Sequence, residues 1–217
     1  MPVMKTPFTV EQFFDIFRIY NEAVWPFQIF LNALAILSIV FCIFRLKFST
    51  RLIYFILGFL WLWMGGVYHL MFFSKINPAA FVFGSLFIVQ SGLFIILGVT
   101  GRAIAADWRL DGFSLTGILF ILYGLLIYPL IGSIAGHGYP FSPTFGLPCP
   151  TTIYTFGVLL LMNHRIRIWT ILIPFLWSIV GFFAALNFRV FEDIGLLIAG
   201  IAGIILLTVR NRKYIGN

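Results

Sequence analysis

The sequence predicts an all-α, polytopic bundle of transmembrane helices with seven spans, in a single transmembrane domain over residues 1–217. Three observations lead to this fold class. Hydrophobic residues make up 61% of the 217 residues and charged residues only 10%, whereas about one quarter of a soluble domain is charged. The apolar residues form long runs, and the basic residues cluster between alternate runs.

The apolar runs have the length that a membrane helix needs. A helix crosses the hydrocarbon core with about 20 apolar residues. Runs of this kind extend over residues 24–44, 52–73, 79–99, 113–135, 147–163, 168–187 and 190–209. The fifth run is the shortest and the richest in proline.

The basic residues predict the orientation of the spans. If residues 45–51, 100–112, 164–167 and the tail from Arg210 are cytoplasmic, they hold ten of the 14 Lys and Arg residues, and the other side holds four. This asymmetry is the positive-inside bias. It places the N-terminus outside and the C-terminus in the cytoplasm, and it requires the fifth run to cross. It also accounts for the net charge of +7, so no nucleic-acid partner is predicted.

Residues 1–22 have the pattern of an amphipathic helix. Thr9 and Gln12 have the spacing of a capping box. Apolar residues then recur at helical spacing, and charged residues occupy the other face. Such a helix either lies on the outer membrane surface or packs as a lid over the outer loops. The pattern leaves both possibilities open.

Residues 136–150 form a Pro-rich outer segment. Pro140, Pro143, Pro148 and Pro150 oppose regular helix, so the fifth helix is expected to begin near Pro150 or Thr151 and to span only about 20 Å. We expect the segment to enter the outer leaflet. It would end on a helix N-terminus where the free N–H groups of Thr151 and Thr152 could bind an anionic group. The alternative is a well-packed loop that plugs the bundle.

The candidate ligand-binding residues lie at the outer end of the predicted bundle. They are Tyr68, His69, His137, Tyr139, Cys149, Thr151 and Thr152. His69 is included because an ionisable residue within an apolar span is a candidate for function. Glu192 and Asp193 are expected to cap the last helix, where acidic side chains suit the helix dipole. Glycines within that helix predict close helix packing: Gly195, Gly200 and Gly203.

Three functions fit these residues. The favoured one is binding or transport of a small solute through an outward-facing cup, a polar cavity touching His69 and Cys149. The second is a membrane-embedded metal, haem or redox enzyme using His69, His137 and Cys149. The third is an accessory or structural subunit. No CxxC, HxxxH or HExxH spacing occurs, so no metal site or cofactor is assigned. The lipid bilayer is the expected environment, and the oligomeric state is left open.

Three blocks of the sequence carry a resemblance to a known family. The blocks are Glu11-Gln12-Phe13-Phe14 with Tyr20-Asn21 and Trp25-Pro26, the stretch from Trp61 through Asn77-Pro78-Ala79-Ala80, and the stretch from Tyr128-Pro129 through Pro148-Cys149-Pro150-Thr151-Thr152. On these blocks the chain resembles a bacterial family of uncharacterised multi-pass integral membrane proteins, a domain-of-unknown-function family. The resemblance implies a location in the bacterial cytoplasmic (inner) membrane. It implies no activity, substrate or cofactor.

Overall fold

The computed structural model describes residues 7–44, 46–101, 109–162 and 164–213, and this part of the chain is helical without a named strand. The α-helices are α1 (Val10–Val24), α2 (Phe27–Ile43), α3 (Ser49–Trp63), α4 (Ala80–Thr100), α5 (Gly112–Leu122), α6 (Tyr128–Ile134), α7 (Pro148–Leu161), α8 (Leu172–Phe188) and α9 (Ile194–Lys213). A π-helix over Met64–Phe72 and a 3₁₀ turn over Phe73–Lys75 extend α3, and a π-helix over Tyr123–Ile127 joins α5 to α6. Further 3₁₀ turns, Ile168–Ile171 and Phe191–Asp193, lead into α8 and α9.

Five helical segments are long and apolar enough to cross a membrane. They are Ser49–Lys75, Ala80–Thr100, Gly112–Ile134, Ile168–Phe188 and Phe191–Lys213. The pair α1 and α2 passes the same test when taken together, although it is bent by 87°. The described residues therefore provide five or six helices with the properties of membrane spans, and α7 is a shorter apolar helix.

Helix α1 is amphipathic, as its sequence predicts. The Thr9 hydroxyl accepts a hydrogen bond from the Gln12 N–H (3.2 Å), and the Gln12 side chain accepts one from the Thr9 N–H (2.9 Å), which confirms the capping box. The buried face of α1 holds Phe13, Ile16, Phe17, Tyr20, Asn21 and Val24. This face contacts the Pro-rich segment, through Asn21, and the π-helix that extends α3.

Helix α7 forms the centre of the bundle. All but Cys149 of its 14 residues are buried, and it packs against α2, α5, α8 and α9. Its polar side chains form hydrogen bonds with the surrounding helices. The Thr155 hydroxyl accepts a hydrogen bond from Trp61 Nε1 (3.1 Å), and the Tyr154 hydroxyl donates one to the Ala35 carbonyl (2.7 Å). Thus the run that is weakest by hydropathy is the one that the other helices surround.

The C-terminal end of α7 is capped by a buried arginine. The guanidinium of Arg210 donates to the carbonyls of Leu160 (2.8 Å) and Leu159 (3.0 Å), which are among the last four of the helix and lack intrahelical donors. The same end holds His164, whose pKa is lowered to about 4, first by burial and then by the positive charge of Arg210.

Candidate functional site

The Pro-rich segment is fastened to α1 and α2 by amide side chains. Asn21 Nδ2 donates to the carbonyls of Pro140 (2.6 Å) and Ser142 (2.9 Å). Gln28 Nε2 donates to Asn21 Oδ1 (2.7 Å) and to the Thr144 hydroxyl (3.1 Å). The two bonds from Asn21 satisfy backbone carbonyls of a segment that is not helical, which favours the burial of its second half.

The N-terminus of α7 differs from the expected anion site. The helix begins at Pro148, earlier than the predicted start near Pro150 or Thr151, because proline is tolerated in the first turn, where no intrahelical N–H bond is needed. The Thr151 N–H is not free, since it donates to the Leu147 carbonyl at 3.3 Å. The two prolines leave only Cys149 with an N–H among the first three helical residues. The expectation of free N–H groups at Thr151 and Thr152 is therefore wrong.

The side chains of the two threonines also face the protein. The Thr151 hydroxyl accepts a hydrogen bond from the Gly146 N–H at 2.9 Å, and so it holds the Pro-rich segment against α7. Thr152 is fully buried, and its hydroxyl has no hydrogen-bond partner in the described part of the chain. Neither threonine is exposed to a ligand at this end of the helix.

A cavity of about 360 Å³ lies between α1, α8 and the Pro-rich segment. Its walls are mainly aromatic, with rings contributed by Phe8, Phe13, Phe17, Tyr68, Phe73, Phe83, Trp177, Phe183 and Phe188. Of the candidate residues, Tyr68 and Cys149 line it, whereas His69, Thr151 and Thr152 do not. The sequence predicts a polar cavity touching His69 and Cys149, but this one is apolar and touches only Cys149 of the two.

Two polar groups of the cavity wall, Cys149 and Asp193, form a cluster with Tyr128. Asp193 lines the cavity and accepts a hydrogen bond from the Tyr128 hydroxyl at 2.5 Å. The thiol of Cys149 interacts with the same carboxyl group and with Tyr128, and the indole of Trp177 faces the thiol. Cys149 and Asp193, which come from α7 and from the turn before α9, thus meet at the cavity wall.

Glu192 and Asp193 do not simply cap α9. Both are buried in the 3₁₀ turn Phe191–Asp193 and point into the bundle. Glu192 Oε1 lies 2.9 Å from Nε2 of His137, and the Tyr123 hydroxyl donates to the Glu192 backbone carbonyl at 2.8 Å. His137 therefore has Glu192 as its hydrogen-bond partner and does not line the cavity. Tyr139, another candidate residue, is 57% exposed and also lies outside it.

His69 is enclosed by aromatic rings. It is fully buried, and its ring centroid lies 4.7 Å from that of Phe87, 5.2 Å from that of Trp177 and 5.9 Å from that of Phe83. Neither ring nitrogen has a hydrogen-bond partner among the described residues. The surrounding segment is the π-helix Met64–Phe72, a feature that often marks functional sites. His69 does not line the cavity, but it packs against Trp177, Phe83 and Phe73, which do.

The structure does not assemble the proposed metal or redox site. His137 is bound to Glu192, Cys149 faces Asp193, and His69 is in its aromatic cage. Over the described residues, no group of three or more His, Cys, Asp or Glu side chains is placed to hold a metal ion. His69, His137 and Cys149 therefore do not act as one ligand set in this arrangement.

Sequence reasoning misses several residues that line the cavity or bond to its polar cluster. It assigns Asp193 to helix capping, and it assigns Tyr128, Trp177, Phe13 and Phe17 to no site. The signal for Asp193 is its position in an outer turn beside an apolar span. Its orientation toward Cys149 depends on the packing of α9 against α7, which a single sequence does not reveal.

The comparisons with known proteins give a family and no function. The model of a family of unknown function, DUF6064, matches residues 10–215. No curated protein and no solved structure matches the chain. A function must therefore be inferred from the cavity and its polar cluster.

Proposed function

We propose that this chain, which belongs to the DUF6064 family of unknown function, is an integral membrane protein. It would bind a small, largely apolar solute in the aromatic cavity beneath α1. The observation that carries the proposal is the cavity itself, with Cys149 and Asp193 in its wall. A transport function would require the protein to release the same solute on the other side of the membrane.

The apolar surface of the protein supports a membrane location. Large apolar side chains are exposed along the long helices, among them Ile29, Ile36, Phe81, Leu126 and Leu176. We propose the bacterial cytoplasmic membrane and seven spans, with α2 and α7 counted as crossings. The basic residues near Arg210 would then face the cytoplasm, and α1 would lie at the outer surface.

The cavity has the size and the chemistry of a ligand site. Small-molecule sites occupy about 300–1,000 Å³ and combine apolar walls with a few polar groups. This cavity meets both criteria, since its volume is about 360 Å³ and its lining is aromatic with Cys149 and Asp193 among its residues. An apolar body would be bound by burial against the rings, and the polar cluster would orient it.

The position of the cavity suggests how a solute enters. Val180 and Phe183 of α8 line the cavity, and they are 40% and 51% exposed on the side that faces lipid. Phe13 and Phe17 of α1 close the cavity from above. A solute dissolved in the outer leaflet would reach the cavity sideways past α8, which suits an apolar compound.

The proposal is tested by filling the cavity. Ala184 lines it, so Ala184→Phe should remove the space, while Leu186→Phe, on the exposed face of the same helix, is the control. The probes are neopentylbenzene and benzyltrimethylammonium, which share one shape but differ in charge. A bound ligand raises the unfolding temperature of the native state, which is measured in lipid nanodiscs.

We expect at least one probe to raise the unfolding temperature of the wild type and of Leu186→Phe, but not of Ala184→Phe. Two results would contradict the proposal. The first is that neither probe raises the unfolding temperature of the wild type. The second is that a probe raises the unfolding temperature of Ala184→Phe as much as that of the wild type.

A further inference from the structure

We infer that the ligand of the cavity is a small organic cation, an ammonium group with apolar substituents that pairs with Asp193 among the aromatic rings. The inference rests on the proposed function and names the class of solute. It is argued from the charge of one wall residue and from the chemistry of the others.

The rings of the cavity are suited to a cation. Aromatic faces attract ammonium groups, and cages of such rings recognise alkylated ammonium ligands. The rings here hold one another in place, because Phe188 stacks on Phe13 at 4.4 Å and on Phe8 at 5.1 Å, while Tyr68 stacks on Phe73 at 5.7 Å. A ligand therefore meets a preformed aromatic wall.

Asp193 supplies the acidic group with which a cation would pair. It is 4% exposed, its partners are the hydroxyl of Tyr128 and the thiol of Cys149, and it forms no ion pair among the described residues. The neighbouring acid, Glu192, by contrast has His137 as its partner at 2.9 Å. A buried carboxylate is costly unless a cation accompanies it, and a cationic ligand would supply that partner.

The Lys and Arg residues that the structure describes at this end of the bundle are engaged or exposed. Arg18 bonds to Asp15 (2.7 Å) and to Glu22 (2.9 Å) on α1. Lys75 and Arg189 are exposed, outside the cavity. None of the three lines the cavity, so among the residues that the structure describes no Lys or Arg side chain lies beside Asp193.

A metal ion fits this site less well than an organic cation. Ca²⁺ requires about six to eight oxygen ligands and Mg²⁺ an octahedral shell, whereas the cavity offers one carboxylate amid aromatic rings. The described residues hold no group of three ligating side chains. An alkylated ammonium carries its charge on an apolar surface, which matches the rings and the carboxylate together.

The test compares the two probes of equal shape. We expect the wild type to bind benzyltrimethylammonium about tenfold or more tightly than neopentylbenzene, as determined from the shift of unfolding temperature with probe concentration. Asp193→Asn should abolish this preference and keep the binding of the neutral probe, because an amide can still accept from Tyr128. Glu192→Gln, which alters the adjacent acid outside the cavity, should retain the preference.

The outcomes separate this inference from the proposed function. Equal binding of both probes by the wild type, or tighter binding of the neutral one, overturns the inference and leaves the cavity a binding site. Binding of neither probe overturns both. If Asp193→Asn does not fold, the inference is judged by two other results. These are the ratio of the wild-type affinities for the two probes and the loss of benzyltrimethylammonium binding in Ala184→Phe.

Discussion

Close contact between α5 and α7 gives a sharp prediction about stability. A Cβ added at Gly157 would lie 2.7 Å from the Gly117 carbonyl oxygen, 2.8 Å from Ile121 Cγ1 and 2.9 Å from the Ile121 nitrogen. Ordinary contacts of carbon atoms are about 3.5–4.0 Å. Two of the three atoms belong to backbone and cannot rotate away, so Gly157→Ala requires the two helices to separate.

The expected cost follows from two opposing effects. Overpacking a well-packed core typically costs about 1–3 kcal/mol, and the rigid contacts here favour the upper value. Alanine is a better helix former than glycine by about 1 kcal/mol. The net destabilisation is therefore about 2 kcal/mol, which lowers the unfolding temperature by about 4–8 °C for a chain of this length.

The measurement is thermal unfolding in nanodiscs, followed by the loss of the helical circular dichroism signal. Gly92→Ala is the matched control, because it makes the same substitution within α4 at a position where a Cβ meets nothing within 4 Å. That variant should melt at or above the wild-type temperature. If Gly157→Ala also melts there, the reasoning from backbone proximity is refuted.

Two further substitutions test other buried polar groups by the same unfolding measurement. Arg210→Met removes the donors to the last carbonyls of α7 and should lower the free energy of unfolding by about 2–4 kcal/mol. The control Arg212→Met, at an exposed position, should change it little. Equal effects of the two substitutions would show that the hydrogen bonds of Arg210 do not stabilise the protein. His69→Phe removes two buried nitrogens without partners among the described residues and should stabilise the protein by about 1–2 kcal/mol. His137→Phe should destabilise it by stranding Glu192, and a loss of stability in His69→Phe would mean that the imidazole has a partner.

Much of the architecture could be predicted because it depends on local patterns. The capping box of α1 needs only two residues at the right spacing, Thr9 and Gln12. The close packing of the last helix follows from its glycines, and the structure places Gly195 against Tyr123 and Gly203 against Phe156. Apolar runs of sufficient length were enough to find the long helices.

The site could not be predicted to the same extent, because it depends on contacts between distant residues. The sequence predicts a free N–H at Thr151, but its availability depends on where α7 begins. The orientation of Asp193 depends on helix packing, and Gly117 and Gly157 meet across two helices 40 positions apart. The sequence predicts a polar cavity at Cys149, whereas the cavity there is largely apolar. This character could not be predicted, since an aromatic residue in an apolar helix can face either the surface or a cavity.

The burial of α7 has a consequence for how the protein is made. Leu160 receives its hydrogen bond from a residue 50 positions later in the chain, so the middle of the bundle leaves the ribosome well before its last partner exists. Until α9 has been made, α7 can pack only against the helices that precede it, and the carbonyls of Leu159 and Leu160 lack the hydrogen bonds from Arg210. The contacts that complete the surroundings of α7 therefore form only after α9 has been made.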